Sequence, residues 1–263
     1  MTEKPSKKET DIFKAIKEDD FEEVKRLVEW QPELVRAVAP KKPAETMGMS
    51  PLQVALNTGW HREIAWFLLE NGADVNYMAG PEYKLYGSSV GYPVLFNAVC
   101  SAVRNARRYV QDPKTGEFRW VHTKEEADIS FSFLKRMIEL GADVNKTDYD
   151  GRNSLMEAVA EANKLCPIVN PETGRLYESP PINPEMTDDL RRIFKLLIDS
   201  GADLDNTSAY SKKNIREHYS AETIWRICGG FVRAAKLVKM TECGAVIGLV
   251  GHFDKFCDQT RIQ

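Results

Sequence analysis

The chain has 263 residues, 43% hydrophobic and 29% charged, with 36 basic against 39 acidic side chains. That apolar content can bury a sizeable core and argues against disorder along the whole chain, while a formal net charge of −3 gives no general reason for nucleic-acid binding, which draws on clustered Lys and Arg. The uncharged stretch from Cys243 to Phe253 falls well short of the roughly 20 apolar residues that cross a bilayer, so no membrane partner is expected.

Residues 1–10 read as a polar tail with no apolar region behind it, unlike a secretory signal, and a cytoplasmic location is the expectation. From Ile12, the segment IFKAIKEDDFEEVKRLVEW sets Phe13, Ile16, Phe21, Val24, Leu27 and Val28 in the rhythm of two short helices. Next comes SPLQVALNTG, where Ser50 can cap a helix and Pro51 is tolerated at its first position. IAWFLLEN from Ile64 forms a second helix, closed by the word Gly72-Ala-Asp-Val-Asn76. The word recurs unchanged at Gly141 to Asn145, and again as Gly201-Ala-Asp-Leu-Asp205. Each copy follows an apolar helix: FLKRMIEL from Phe133 puts Phe133, Leu134, Met137 and Ile138 on one face, and IFKLLIDS from Ile193 repeats the pattern. The glycine after each helix supplies a left-handed cap. Upstream helices begin at YPVLFNAVCS from Tyr92 and NSLMEAVAEA from Asn153; after Asp205, residues 213–219 and 221–240 can supply one more pair.

Ser50-Pro-Leu-Gln-Val-Ala55, Gly59-Trp-His-Arg-Glu-Ile64 and Leu68-Leu-Glu-Asn-Gly-Ala-Asp-Val-Asn76 resemble one ankyrin repeat, following its TPLHxA, GHxxI and LLLxxGADVN elements in order. The resemblance covers about residues 10–240. It implies a mainly α ankyrin-repeat solenoid of about five helix-pair units, 11–46, 47–77, 89–146, 147–206 and 207–240, before an extension at 241–263. The TPLH histidine is replaced by Gln53, Leu95 and Met156, and a residue is inserted around Trp60.

The glycine words are spaced 69 residues apart (Asn76 to Asn145) and then 60 (Asn145 to Asp205), against a period of about 33. Two units therefore carry insertions between their helices, at about 101–128 and 163–187. Tyr109-Val-Gln-Asp-Pro-Lys-Thr-Gly-Glu-Phe-Arg-Trp-Val121 and Ile168-Val-Asn-Pro-Glu-Thr-Gly-Arg-Leu-Tyr177 share Asx-Pro-x-Thr-Gly between extended flanks, a β-hairpin signature. In the first, Gln111 should face Phe118 and Tyr109 should face Trp120; side by side, the hairpins could brace each other.

His61, His122, His218 and His252 fall in no metal-ligand spacing, and Cys243, His252 and Cys257 match no zinc pattern. The five cysteines, odd in number and without a CxxC pair, read as reduced thiols. No phosphate-binding loop or nucleophile elbow occurs. The expectation is a protein with no catalytic residue, no cofactor and no metal. Candidate partner-binding residues are the finger-loop tyrosines Tyr77, Tyr83, Tyr86 and Tyr92, then Arg104 and Arg108 at a helix end, and Tyr109, Phe118, Trp120 and Tyr177 on the hairpins. Two plainer readings stay open: the tyrosines cover the base of their own loop, and the arginines, with Arg107, form an ordinary basic helix C-terminus. The function indicated is non-catalytic binding of a protein partner, by a chain more readily monomeric than oligomeric. An inhibitor, an immunity-type protein or a secreted effector adaptor would fit. So would a scaffold with a metal or enzyme site in its tail, or self-assembly through hairpin edges.

Overall fold

The computed structural model describes residues 7–57, 60–80, 83, 91–111, 118–165 and 184–218. Within them the chain is mainly helical: α1 (Lys7–Lys17), α2 (Phe21–Trp30), a 3-10 turn (Pro32–Arg36), α3 (Pro51–Asn57), α4 (Arg62–Glu70), α5 (Val94–Arg104), α6 (Lys124–Glu139), α7 (Ser154–Leu165), α8 (Pro184–Asp199) and the single turn α9 (Ile215–His218). Two strands, β1 (Tyr109–Gln111) and β2 (Phe118–Trp120), lie between α5 and α6.

Local chemistry fixes where these helices start. The Asp20 carboxylate accepts from the Glu23 amide at 3.0 Å and opens α2. Ser50 and Gln53 cap α3 reciprocally, the Gln53 amide donating to Ser50 Oγ and the Ser50 amide to Gln53 Oε1, both at 3.2 Å. Thr123 and Glu126 form the same box at the start of α6, and Asn153 Oδ1 accepts from the Met156 amide at 3.0 Å to open α7.

The three glycine words end helices in one way. Gly72, Gly141 and Gly201 have φ of 88°, 92° and 89°, and the amides of Ala73, Ala142 and Ala202 return to the carbonyls of Leu68, Met137 and Leu197 at 3.0 Å. That six-to-one bond is the Schellman closure. The asparagines of the first two words each reach the next word: Asn76 Nδ2 donates to the Gly141 carbonyl and Oδ1 accepts from the Asp143 amide, both at 2.8 Å. Asn145 does the same toward Gly201 and Asp203 at 2.8 and 2.7 Å. A side chain conserving both donor and acceptor thus ties consecutive units edge to edge.

Helices α1 and α2, α3 and α4, and α5 and α6 pack as pairs, as do α7 and α8, and the first helices of the pairs stack in the order α1, α3, α5, α7. One continuous core runs through the stack, from Ile12 and Ile16 through Leu52, Ile64 and Leu68 to Phe133, Leu155 and Phe194. Burying a side chain of the size of Phe133 or Leu68 contributes about 1.5–3 kcal/mol.

The helices run further than the apolar pattern indicated. The first helix reaches back to Lys7, inside the stretch read as a polar tail. Helix α5 continues to Arg104 and α6 starts at Lys124, so both ends of the stretch 101–128 are helical, and α7 reaches Leu165 while α8 starts at Pro184, both within 163–187. The physical reason at α6 is its capping box, which starts the helix nine residues before Phe133. Within the first connection β1 pairs antiparallel with β2, Tyr109 opposite Trp120 and Gln111 opposite Phe118. Its turn, the second connection with Tyr177, most of the finger from 81 to 90 with Tyr86, and everything after His218 lie outside the described residues.

Candidate interaction surfaces

The finger tyrosines divide by what they touch. Tyr77 is partly buried: its hydroxyl donates to the Gly48 carbonyl at 2.7 Å, and its own carbonyl accepts from the Val94 amide at 2.8 Å, fastening the end of one unit to the start of the next. Tyr83 packs with Tyr77 against Met47 and Ala79, so close over Gly48 that a Cβ there would lie 2.5 Å from Tyr83 Cγ. Tyr92 accepts a hydrogen bond from Arg152 Nη2 at 2.9 Å. These three are tied to the base of the finger. A fourth tyrosine, Tyr149, is missing from the sequence-derived set; its hydroxyl donates to the Ala79 carbonyl at 2.6 Å, and its ring covers Gly91. The Asp-Tyr-Asp-Gly turn that carries it was visible in sequence, but not its reach across to the finger.

The arginines at and just after the end of α5 face buried acids of the following unit. Arg104 Nε donates to Glu161 Oε1 at 2.7 Å, and Lys164 to the other oxygen at 2.8 Å. Burial would raise the Glu161 carboxyl, but these hydrogen bonds and the charges behind them outweigh it and hold the group below the usual glutamate value. Arg107 grips Asp189 with its amide at 3.0 Å, Nε at 2.9 Å and Nη2 at 3.0 Å; the Asp189 side chain is only 3% exposed. Arg108, grouped with them in the sequence, is half-buried. Arg104 and Arg107 therefore act first as clamps between units.

Beside them Cys100, Glu157 and Glu161 lie buried, with one potential ligand atom each within 4.8 Å of the others. Such a trio has donors suited to a metal, but its charges are already answered. The Cys100 thiol donates to Glu157 Oε1 at 3.5 Å, Glu157 Oε2 lies 3.1 Å from Arg152 Nη1, and Glu161 holds Arg104 and Lys164. Burial, reinforced by both carboxylates, pushes the thiol far above its ordinary value, so it is not available as a thiolate. Arg152 completes the seam, bridging Glu157 to Asp148 while its guanidinium lies 5.5 Å from the Tyr92 ring centroid.

The β ribbon presents Trp120, 48% exposed. Trp120 also lines a hollow of about 340 Å³ with Arg107, His122, Thr123, Lys124 and Glu185. Burial and the neighbouring Arg108 lower the pKa of His122 against the opposing pull of Glu126. Two further hollows continue along the same edge, where the second helices of the units begin. One of about 470 Å³ lies among Trp66, Lys124, Glu125, Asp128, Ile129 and Ser132, and another of about 870 Å³ shares Trp66 and Ile129 with it and reaches Asp19, Phe21 and Trp60 to Glu63. Sequence reasoning missed this edge, because its walls come from three units.

The ankyrin repeat family model matches residues 47–79, the stretch from Met47 through α3, α4 and the first glycine word to Ala79. With the helix pairs on either side, this supports an ankyrin-repeat protein, a class that generally mediates protein–protein interaction and is generally non-catalytic. No curated protein matches the chain. Among the described residues no helix is long and apolar enough to cross a membrane.

Proposed function

We propose that this chain is a non-catalytic binding module for a protein partner, built as an ankyrin-repeat solenoid of about five helix pairs with β-hairpin insertions in the third and fourth. The observation that carries the reading is the matched repeat at 47–79 set in a stack whose first helices and glycine words repeat on its C-terminal side. A stack of this kind offers a finger edge and a first-helix face wider than one repeat, and insertions in successive units add area on one edge. The finger loop, that face and the hairpins are the proposed contact surfaces. Tyr77, Tyr83 and Tyr92 shape the finger from below, and Trp120 offers exposed aromatic area of the kind that anchors interfaces.

The test is affinity capture from a lysate of the source cells, comparing the intact chain with a Tyr86→Ala, Phe118→Ala, Trp120→Ala, Tyr177→Ala variant that leaves the tied tyrosines in place. Loss of the captured proteins from the variant, with an unchanged melting curve, is the expected outcome. Equal capture by both chains would remove finger tip and hairpins from the interface.

A further inference from the structure

The turns that follow the second and third glycine words share one frame. In the first of them Asp148 Oδ1 accepts from the amides of Asp150 and Arg152, both at 2.9 Å, and the Gly151 amide donates to the Asp148 carbonyl at 3.1 Å. The Asp148 amide closes that turn on the Arg152 carbonyl at 3.0 Å. In the second, Ser208 stands in the place of Asp148. Its hydroxyl oxygen accepts from the amides of Tyr210 and Ser211 at 3.2 and 3.4 Å, its carbonyl accepts from the Lys212 amide at 2.9 Å, and its own amide donates to the Lys213 carbonyl at 3.2 Å. Lys212 is therefore the counterpart of Gly151, both left-handed with φ of 55° and 75°, and Lys213 is the counterpart of Arg152. The Ala209 amide donates to the Asp150 carbonyl at 2.6 Å, which pins the later turn on the earlier one.

The side chains on this frame differ. In the earlier turn the cation and the aromatic ring are answered within the chain: Arg152 pairs with Asp148 and Glu157, and Tyr149 donates to the Ala79 carbonyl with its ring over Gly91. In the later turn a serine replaces the aspartate that pairs with Arg152, a lysine takes the glycine position, and the tyrosine moves one place along. Tyr210 is 92% exposed, against 59% for Trp30, the next most open large apolar residue among those described. Lys212 and Lys213 are exposed, and no ion pair engages either among the described residues. The acids close in sequence are otherwise disposed: Asp203 and Glu217 accept from the amides of Asp205 and Asn214, and exposed Asp150 and Asp205 form no ion pair with either lysine.

A lysine in left-handed backbone is strained, and such strain persists where the surroundings over-determine it, as the hydrogen bonds through Ser208 do here. The turn thus holds an open aromatic face and two unanswered cations on a backbone fixed before any partner arrives, which lowers the ordering cost of binding.

We propose that this turn, 208–213, docks an acidic segment of a protein partner, its carboxylates meeting Lys212 and Lys213 and its apolar atoms lying on the Tyr210 ring. A basic segment would set like charge against both ammonium groups. An unbroken phosphate backbone would run onto exposed Asp150, Asp203 and Asp205 beside the turn, whereas peptide carboxylates can be spaced to miss them. The surface lies two turns along the edge from the finger at 77–91 and apart from the first-helix face and the ribbon. It rests on the interaction-module reading and narrows the partner to one presenting acidic side chains.

The experiment uses the full chain and fluorescence anisotropy with three labelled probes: a heptapeptide alternating glutamate and alanine, another alternating arginine and alanine, and a single-stranded oligothymidylate. The glutamate peptide binds, more weakly as sodium chloride rises from about 50 to 500 mM, because exposed charges are screened. The other two probes do not bind. Lys212→Asn with Lys213→Gln, the asparagine tolerating left-handed backbone, weakens binding about tenfold or more, and Tyr210→Ala about threefold or more. Lys25→Gln with Lys135→Gln, which removes the same charge from exposed helix positions, leaves it unchanged. Should Lys212→Asn alter the melting curve, Lys213→Gln with Tyr210→Ala gives the same reading without touching the left-handed residue.

Equal weakening by the control, equal binding of either other probe, or no binding of the glutamate peptide by the unaltered chain each overturns the proposal. So does dimerisation in light scattering that Lys213→Gln with Tyr210→Ala abolishes, which assigns the turn to a second copy. A chain that captures proteins in the lysate experiment yet ignores the glutamate peptide loses this surface and keeps the wider reading; a chain that binds the peptide but captures nothing loses only the wider one.

Discussion

Replacing Asp189 with alanine tests the connection between units most directly. The carboxylate is 3% exposed and takes three hydrogen bonds from Arg107, at 2.9 to 3.0 Å, with Arg192 Nη2 a further 3.2 Å away. Its loss strips the acceptor from the Arg107 backbone amide and leaves the guanidinium without its main counter-charge. Removing one partner of a buried pair costs about 3–5 kcal/mol, and the lower end applies because the Arg107 side chain is 20% exposed and its guanidinium can regain water. At about 2–4 °C per kcal/mol for a chain of this size, Asp189→Ala should lower the melting temperature by roughly 6–12 °C. Urea denaturation followed by circular dichroism supplies the free energy, and hydrogen exchange should show the Arg107 amide among the most accelerated. The double variant Arg107→Leu, Asp189→Leu should recover part of the loss, since it leaves no unpaired buried charge. A loss below about 1 kcal/mol in Asp189→Ala, or unchanged exchange at Arg107, would refute the clamp.

Two glycines separate backbone strain from steric blockage: at Gly141 an added Cβ meets nothing within 4 Å, so Gly141→Ala should cost only the left-handed strain of about 1–2 kcal/mol. At Gly91 the same Cβ would fall 2.0 Å from Tyr149 Cε2, and Gly91→Ala should melt distinctly lower; equal melting temperatures would contradict the packing of Tyr149. Glu161 has its pKa lowered by folding, so its contribution to stability is present above the unfolded glutamate value of about 4.3 and is lost as pH falls through the lower folded value. Glu161→Gln should therefore reduce stability at pH 7 and flatten the acid limb of a stability-against-pH curve, and an unchanged limb would count against the Arg104 and Lys164 bonds. Cys100, buried and with its thiol pushed up, should resist iodoacetamide in the native chain at pH 8 and react on denaturation, as read by peptide mass spectrometry; native labelling would show that the seam opens.

How much of this was legible follows from the range of each interaction. Ser50 and Gln53 lie three residues apart, and each glycine closes the helix just before it, so caps and helix ends could be read locally. The start of α6 is written locally too, in Thr123 and Glu126, although the apolar pattern begins only around Phe133. Asn76 and Asn145 stood in the repeated word, yet their partners lie 65 and 56 residues away. The arginines at the end of α5 resembled a solvated helix end because Glu161 and Asp189 are separated from Arg104 and Arg107 by 57 and 82 residues. Sequence alone determined the repeating unit of this protein, since helix periodicity, capping and glycine turns are settled within a few residues. Only the tertiary structure decided which tyrosines and arginines are tied between units and where an aromatic-walled hollow opens, because those depend on side chains that the stacking of units brings together.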